Sequence, residues 1–163
     1  DYYNPKIRFT GSGGANDIAN SALRTVISMP MQEGKFVNKI DYCTSPGWIT
    51  GGNSRAEIGL KQGGPAAVVT DKCIFRFEEG THELMLDSLH PGVKLEDITS
   101  LIPWELKISP NLHETPVPTD EDCEIIKYLD PGQYYTGPGL KNMTFENYME
   151  LMNKFFDTKL AKE

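Results

Sequence analysis

Three of the four residues from Gly11 to Gly14 are glycine. They follow a short β-like run, Ile7 to Thr10, and precede a stretch that reads as a helix from Ala15 onward. Glycine permits backbone angles that a Cβ forbids and lets a ligand approach the main chain. The helix that follows aims unpaired N–H groups, and the positive end of its dipole, at that ligand. The chemistry on offer is anion binding: a phosphate, a carboxylate, or an oxyanion that forms during reaction. The backbone amides of Gly13 and Gly14 are the candidate donors. Ser12, Ala15, Asn16 and Asp17 are the candidate substrate contacts, although short polar side chains at a helix start also serve as plain caps. A dinucleotide fingerprint needs a third glycine or alanine where Asn16 stands, so G-x-G-x-x-G fails. Glu33 lies near the distance of a ribose-binding acid, which leaves the nicotinamide reading weakened but open. A tight strand–helix connection without a ligand is the plain alternative.

The other reactive side chains offer less. His82 falls on a hairpin turn, His90 precedes Pro91-Gly92, and His113 lies in a connector. None has a Cys, Ser or acid at recognisable spacing, so turn and surface roles are expected. Cys43 precedes Thr44-Ser45-Pro46 without an implied base, and a buried structural thiol is expected there. Lys35 and Lys39 could meet an acidic ligand or form a solvated face. No metal site is expected.

The glycine turn needs a scaffold. Ile7–Thr10 reads as a strand, 15–23 as a helix, and Arg24 to Met29 as a buried strand, since it is β-branched and mostly apolar. Strand, helix, strand implies a parallel βαβ unit with a right-handed crossover. Val37 to Tyr42 reads as a further short strand and Ile49 to Gly64 as a glycine-rich loop. Ala66–Asp71 reads as a strand. Cys73–Glu78 and Glu83–Leu89 form an antiparallel hairpin about Glu79–His82. Lys94–Leu101 reads as a helix, Trp104–Ile108 as the last strand, and Pro110–Pro118 as an extended connector. Thr119 caps a helix that runs to about Tyr128, with an acid three residues on. A loop from Gln133 to Lys141 leads to Thr144, which caps a final helix. Phe145, Tyr148, Met149, Met152, Phe155 and Phe156 share one of its faces, which must pack on something. The whole is an α/β domain. Residues 1–109 are its core; 110–163 are a connector and C-terminal helices of the same domain, packing on that core or on a partner.

At 163 residues the chain fits one domain or most of a larger one. A net charge of −7 with no basic stripe argues against a nucleic-acid partner. No stretch is long enough to span a bilayer, so no membrane partner is expected. The three cysteines make neither a metal knuckle nor a disulfide framework. With no signal peptide, a reducing, cytoplasmic location is expected. The chain starts at Asp1 without an initiator Met, which suits a processed or trimmed protein, or a fragment.

Several segments together resemble the β subunit of family I coenzyme A transferases, in the glutaconate branch. They are Gly11 to Ile18, Lys35 to Tyr42 with Thr44 to Trp48, Gly63-Gly64-Pro65 leading to Val68–Asp71, Ser88 to Val93, and Glu114-Thr115-Pro116 with the acidic helix after Pro118. The likeness runs from about Ile7 to Asp130. It implies an open α/β sheet with a mainly parallel core and an antiparallel hairpin. It implies an active site between α and β subunits, and acyl transfer through a glutamyl thioester with coenzyme A. The N–H groups of Gly13 and Gly14 would then face the thioester oxyanion. The expected partners are an α subunit, an acyl-coenzyme A such as that of glutaconate, and a carboxylic acid. Coenzyme A is a substrate here, and no permanently bound cofactor is expected. The resemblance also implies a nucleophilic glutamate on a Glu-x-Gly turn N-terminal to the glycine motif. No acid of this chain inherits that role, so the chain needs a partner or a further segment to complete the reaction. Relatives of the same fold that decarboxylate glutaconyl-type thioesters or open thioester rings are alternatives. So is a scaffold subunit without catalysis.

Overall fold

The computed structural model describes residues 3, 4, 6, 7, 11–60, 62–130 and 144–160, with only backbone described at 151 and 154–160. It forms two compact units, Asp1–Pro116 and Val117–Glu163. The first holds α1 (Gly13–Ser21), β1 (Thr25–Ser28), α2 (Ser54–Glu57), β2 (Pro65–Val69), β3 (Cys73–Phe77), β4 (Leu84–Leu89), α3 (Leu95–Thr99) and β5 (Lys107–Glu114). The second holds α4 (Asp120–Leu129) and α5 (Phe145–Leu160).

The five strands make one sheet in the order β1-β2-β3-β4-β5. The outer pairs, β1 with β2 and β4 with β5, are parallel; the inner pairs are antiparallel. The α/β class and the expected hairpin are present. Thr70 shapes the β2–β3 turn: its hydroxyl accepts from Lys72 N (3.1 Å) and Cys73 N (2.9 Å) and donates to the Cys73 carbonyl (2.8 Å). The β3–β4 turn places Gly80 at φ +86° and His82 at φ +57°.

Phe75 and Leu86 face each other across β3 and β4 and are wholly buried, as are Cys73 and Ile98. Met31, Val68, Ile102 and Leu106 complete this core. Each large apolar side chain so buried contributes about 1.5–3 kcal/mol. α3 delivers Ile98 to it. Phe36 closes it from the side, 5.5 Å from the Phe75 ring and 6.3 Å from Trp104.

Four expectations are corrected. β1 is not buried: Val26 is 59% exposed, because among the described residues β1 is an edge strand with a partner on one side only. Residues 37–42 form no strand; they are bends and turns in solvent, since Gly34 at φ +76° turns the chain and no strand lies alongside. The last strand starts later than Trp104 and runs on through Pro110 to Glu114. Its register against β4 jumps between Leu86 and Ser88, which face Ile108 and His113. A proline has no N–H for the ladder and is tolerated at an edge or a bulge, and β5 provides both. The loop from Ile49 to Gly64 contains the one-turn helix α2. The strand expected at Ile7–Thr10 and the loop at Gln133–Lys141 lie outside the described residues.

In the second unit, Thr119 and Asp122 form the expected reciprocal cap. Asp122 N donates to Thr119 Oγ1 (3.1 Å), and Thr119 N donates to Asp122 Oδ2 (2.9 Å). Thr144 begins α5, accepting from Asn147 N at 3.2 Å. Phe145 is 77% exposed on the apolar face of α5. Among the described residues no helix is long and apolar enough to cross a membrane, and no group of three or more His, Cys, Asp and Glu side chains is placed to hold a metal ion.

Candidate functional site

The helix expected from Ala15 begins two residues earlier, so Gly13 and Gly14 form its first turn. Gly13 takes φ +49°, a conformation that side chains rarely adopt. Ser12 stands at the N-cap but has helical angles (φ −63°, ψ −25°) and makes no capping bond. A capping side chain reaches the N2 or N3 amide from extended backbone, so Ser12 is poorly placed to do so. The first turn also carries no acid. The opening N–H groups of a helix have no acceptor within it. Gly13, Gly14 and Ala15 are all exposed, and a Cβ on Gly11, Gly13 or Gly14 would meet nothing within 4 Å. The bend is open, with room for a ligand over bare amides.

The polar residues that follow are partly occupied by the fold. Asn16 Nδ2 donates to the Thr44 carbonyl at 2.8 Å, and its Oδ1 accepts from Asn20 Nδ2 at 2.8 Å. Asp17 is exposed; its carbonyl accepts from Ser21 Oγ at 2.6 Å. The Asn16–Thr44 bond brings the 44–47 segment alongside α1, uniting two segments that stand apart in the sequence.

Arg55, on α2, was not singled out by its sequence surroundings. Only 2% of it is exposed. Its Nη2 donates to the Ala19 carbonyl at 2.6 Å, and its Nη1 to the carbonyls of Pro46 (3.2 Å) and Gly47 (3.1 Å). A cation among the last carbonyls of α1 complements the negative end of that helix dipole. A lone arginine inside a glycine-rich loop is the one sequence signal that marks it.

The histidines serve the fold. His82 stacks on Trp48, and its Nδ1 lies 3.0 Å from the Gly52 carbonyl. His90 Nε2 lies 2.9 Å from the Thr70 carbonyl, which can only accept, so this nitrogen carries the proton. Its Nδ1 lies 2.9 Å from Thr115 Oγ1, which is 2.8 Å from the buried Ser88 hydroxyl. His113 Nδ1 lies 3.0 Å from the nearby Asn111 carbonyl. Lys35 and Lys39 stand in solvent. Cys43 is exposed, which corrects the expectation of a buried thiol: residues 37–44 all lie in solvent, outside any element. Cys73 is the buried cysteine; desolvation raises its thiol above the ordinary 9.0. Asp71 binds Met31 N at 2.6 Å, and that bond holds its carboxyl below the usual 3.8.

An open glycine turn at a helix start is compatible with several folds and ligands. The model of the coenzyme A transferase family decides between them, matching residues 1–101. The chain belongs to the coenzyme A transferase family. This transferase chain is 42% identical over 137 residues to the β subunit of glutaconate CoA-transferase from Acidaminococcus fermentans, covering 83% of this chain and 51% of that protein. It is 38% identical over 130 residues to the β subunit of 3-oxoadipate CoA-transferase from Pseudomonas knackmussii, covering 80% and 50%. The crystal structure of glutaconate coenzyme A-transferase from A. fermentans superposes with a TM-score of 0.72 at 40% identity, covering 84% of this chain and 53% of the other. The decarboxylase AibA/AibB shares the fold at a TM-score of 0.60 and 20% identity, covering 81% and 48%. This transferase chain thus spans about half the length of the curated relatives it matches.

Proposed function

We propose that the chain is part of the β subunit of a family I coenzyme A transferase acting on acyl-coenzyme A thioesters of carboxylic or dicarboxylic acids such as glutaconate. The observation that carries this reading is the uncapped, exposed first turn of α1 within a glycine motif of that family. In the proposed role, the N–H groups of Gly13 and Gly14 point at the thioester oxygen. That oxygen becomes negative as a carboxylate adds to the carbonyl. Fixed amides stabilise the charge without reorganising, and losing one such donor typically costs about 10²–10³ in kcat. Ser12, Ala15, Asn16 and Asp17 line the approach. The nucleophilic glutamate is assigned to the rest of the enzyme, together with an α subunit. Coenzyme A enters and leaves as substrate, and the location is cytoplasmic.

The test is coenzyme A transfer from glutaconyl-coenzyme A to acetate by the complete enzyme, with Gly14→Val beside wild type. A Cβ at Gly14 meets open space, so this variant folds, while its branched side chain occupies the approach to the amides. We expect turnover to fall at least about a hundredfold. Unchanged turnover would refute the role of the turn. Release of CO2 with no transfer would assign the chain to a decarboxylase instead.

A further inference from the structure

α1 is held near both ends by one short stretch of chain. Toward its N-terminus, Asn16 reaches the Thr44 carbonyl. Toward its C-terminus, Arg55 joins the Ala19 carbonyl to those of Pro46 and Gly47. The ties are three residues apart on the helix, just under one turn, so they lie on the same side of it. Together they fix its position along its axis and its rotation about it.

Arg55 is an expensive way to tie a loop. Its guanidinium is buried, the groups it bonds are neutral carbonyls, and its Nε has no partner among the described residues. A hydrophobic side chain of similar volume fills such a space without burying a charge. A rigid fork of N–H donors does what no apolar residue can: it sets the angle between three carbonyls at once. The group it aims is the helix whose opposite end presents the Gly13 and Gly14 amides.

We infer that Arg55 is a positioning residue for the reaction. Acting through α1, it holds the oxyanion amides on target. The inference rests on the oxyanion reading proposed above. Catalytic donors tolerate little displacement, since a shift of about 1 Å can cost about 10²-fold in rate.

The test uses the complete enzyme with Arg55→Lys, which keeps the charge and loses the fork. Arg55→Ala is assayed with and without methylguanidinium, and Gly14→Val is run in parallel. For Arg55→Lys we expect kcat to fall about 10–100-fold, while KM for the acyl-coenzyme A stays within about twofold and the melting temperature within a few degrees. Methylguanidinium should restore kcat of Arg55→Ala at least fivefold. Normal kcat in Arg55→Lys, with Gly14→Val inactive, would overturn the positioning role and leave the oxyanion turn standing. A kcat that falls only with the folded fraction, with no rescue, would overturn it too. Full activity in Gly14→Val would remove both.

Discussion

Trp48 and His82 lie face to face, their ring centroids 3.7 Å apart and their planes 12° from parallel. Trp48 Nε1 donates to the Pro65 carbonyl at 2.9 Å, and its ring meets Phe77 edge-on at 6.3 Å. His82 contributes its bond to Gly52. The stack therefore fastens the loop that carries Arg55 to the β3–β4 hairpin, far along the chain from either.

That relationship predicts the effect of removing the imidazole. His82→Ala loses an aromatic pair, worth about 0.5–1.5 kcal/mol, and a hydrogen bond of similar value, so a loss of about 1–3 kcal/mol is expected. His82→Gly loses the same contacts but suits φ +57°, so it should be the less damaging by about 1 kcal/mol. Urea unfolding followed by tryptophan fluorescence measures both. Equal midpoints for His82→Ala and wild type would show that the stack is idle.

A second prediction concerns Gly63 and Gly64, which join α2 to β2. A Cβ on Gly63 would stand 2.0 Å from the Ala22 carbonyl oxygen, and one on Gly64 would stand 2.6 Å from the Trp48 ring. Both have positive φ, +72° and +135°. Gly63→Ala must displace backbone at the end of α1, and a loss of about 3 kcal/mol or more is expected. Gly80→Ala, at φ +86° with open space around it, should cost only about 1 kcal/mol. Thermal unfolding of the two variants side by side checks the difference; equal losses would mean that crowding at Ala22 is absent.

These cases separate what a sequence announces from what it hides. The Thr119–Asp122 cap, the β3–β4 hairpin and the glycine turn before α1 are set by neighbours within a few residues, and all were legible. The exposure of β1 was not, because Val26 and Ile27 look the same whether or not something covers them. Residues 37–42 have strand-like composition but no strand to pair with. β5 hid because Pro110 reads as a terminator, whereas a bulge on an edge strand absorbs it. Of the candidate site, the bare amides were visible in Gly13 and Gly14. Arg55 was not, because its partners are backbone carbonyls, which no residue type advertises.

The third prediction is a pH profile. Glu78 accepts from Lys107 Nζ and from the Thr81 hydroxyl, which holds its carboxyl below the usual 4.5. The same pair holds Lys107 above 10.5. Bonds from Thr119 hold Asp122 below 3.8, and the Met31 amide does so for Asp71. A lowered carboxylate contributes stability above its unfolded value, and this is lost as pH falls through the folded one. The raised Lys107 contributes below 10.5, and the raised Cys73 below 9.0; each contribution is lost as pH climbs through the folded value. Stability from these groups is thus complete between about pH 5 and 9 and declines on both sides. The exposed pair adds little, because solvent screens it. Glu78→Gln should flatten part of the acid limb while leaving the alkaline limb carried by Cys73. Denaturant midpoints from pH 3 to 10 would show this; an unchanged acid limb in the variant would refute the Glu78 assignment.

The two thiols provide the last prediction, which also probes the glycine turn. Reactivity follows thiolate content and access. Cys43 is exposed, with Sγ 3.5 Å from the Ser45 carbonyl. Cys73 is sealed in the core beside the Thr70 hydroxyl, 3.3 Å away, and its thiol is held protonated by burial. N-Ethylmaleimide should therefore label Cys43 at once and Cys73 only as the protein unfolds. Cys43 adjoins Thr44, whose carbonyl anchors Asn16 on α1. A maleimide at Cys43 pushes on that anchor and crowds the first turn of the helix, so transfer by the complete enzyme should fall about tenfold or more as Cys43 is labelled. Acyl-coenzyme A should slow the loss, and Cys43→Ser should be immune to it. Peptide mass spectrometry read against residual activity tests the link. Full activity with Cys43 quantitatively labelled would mean that the 44–47 bracket does not govern the turn.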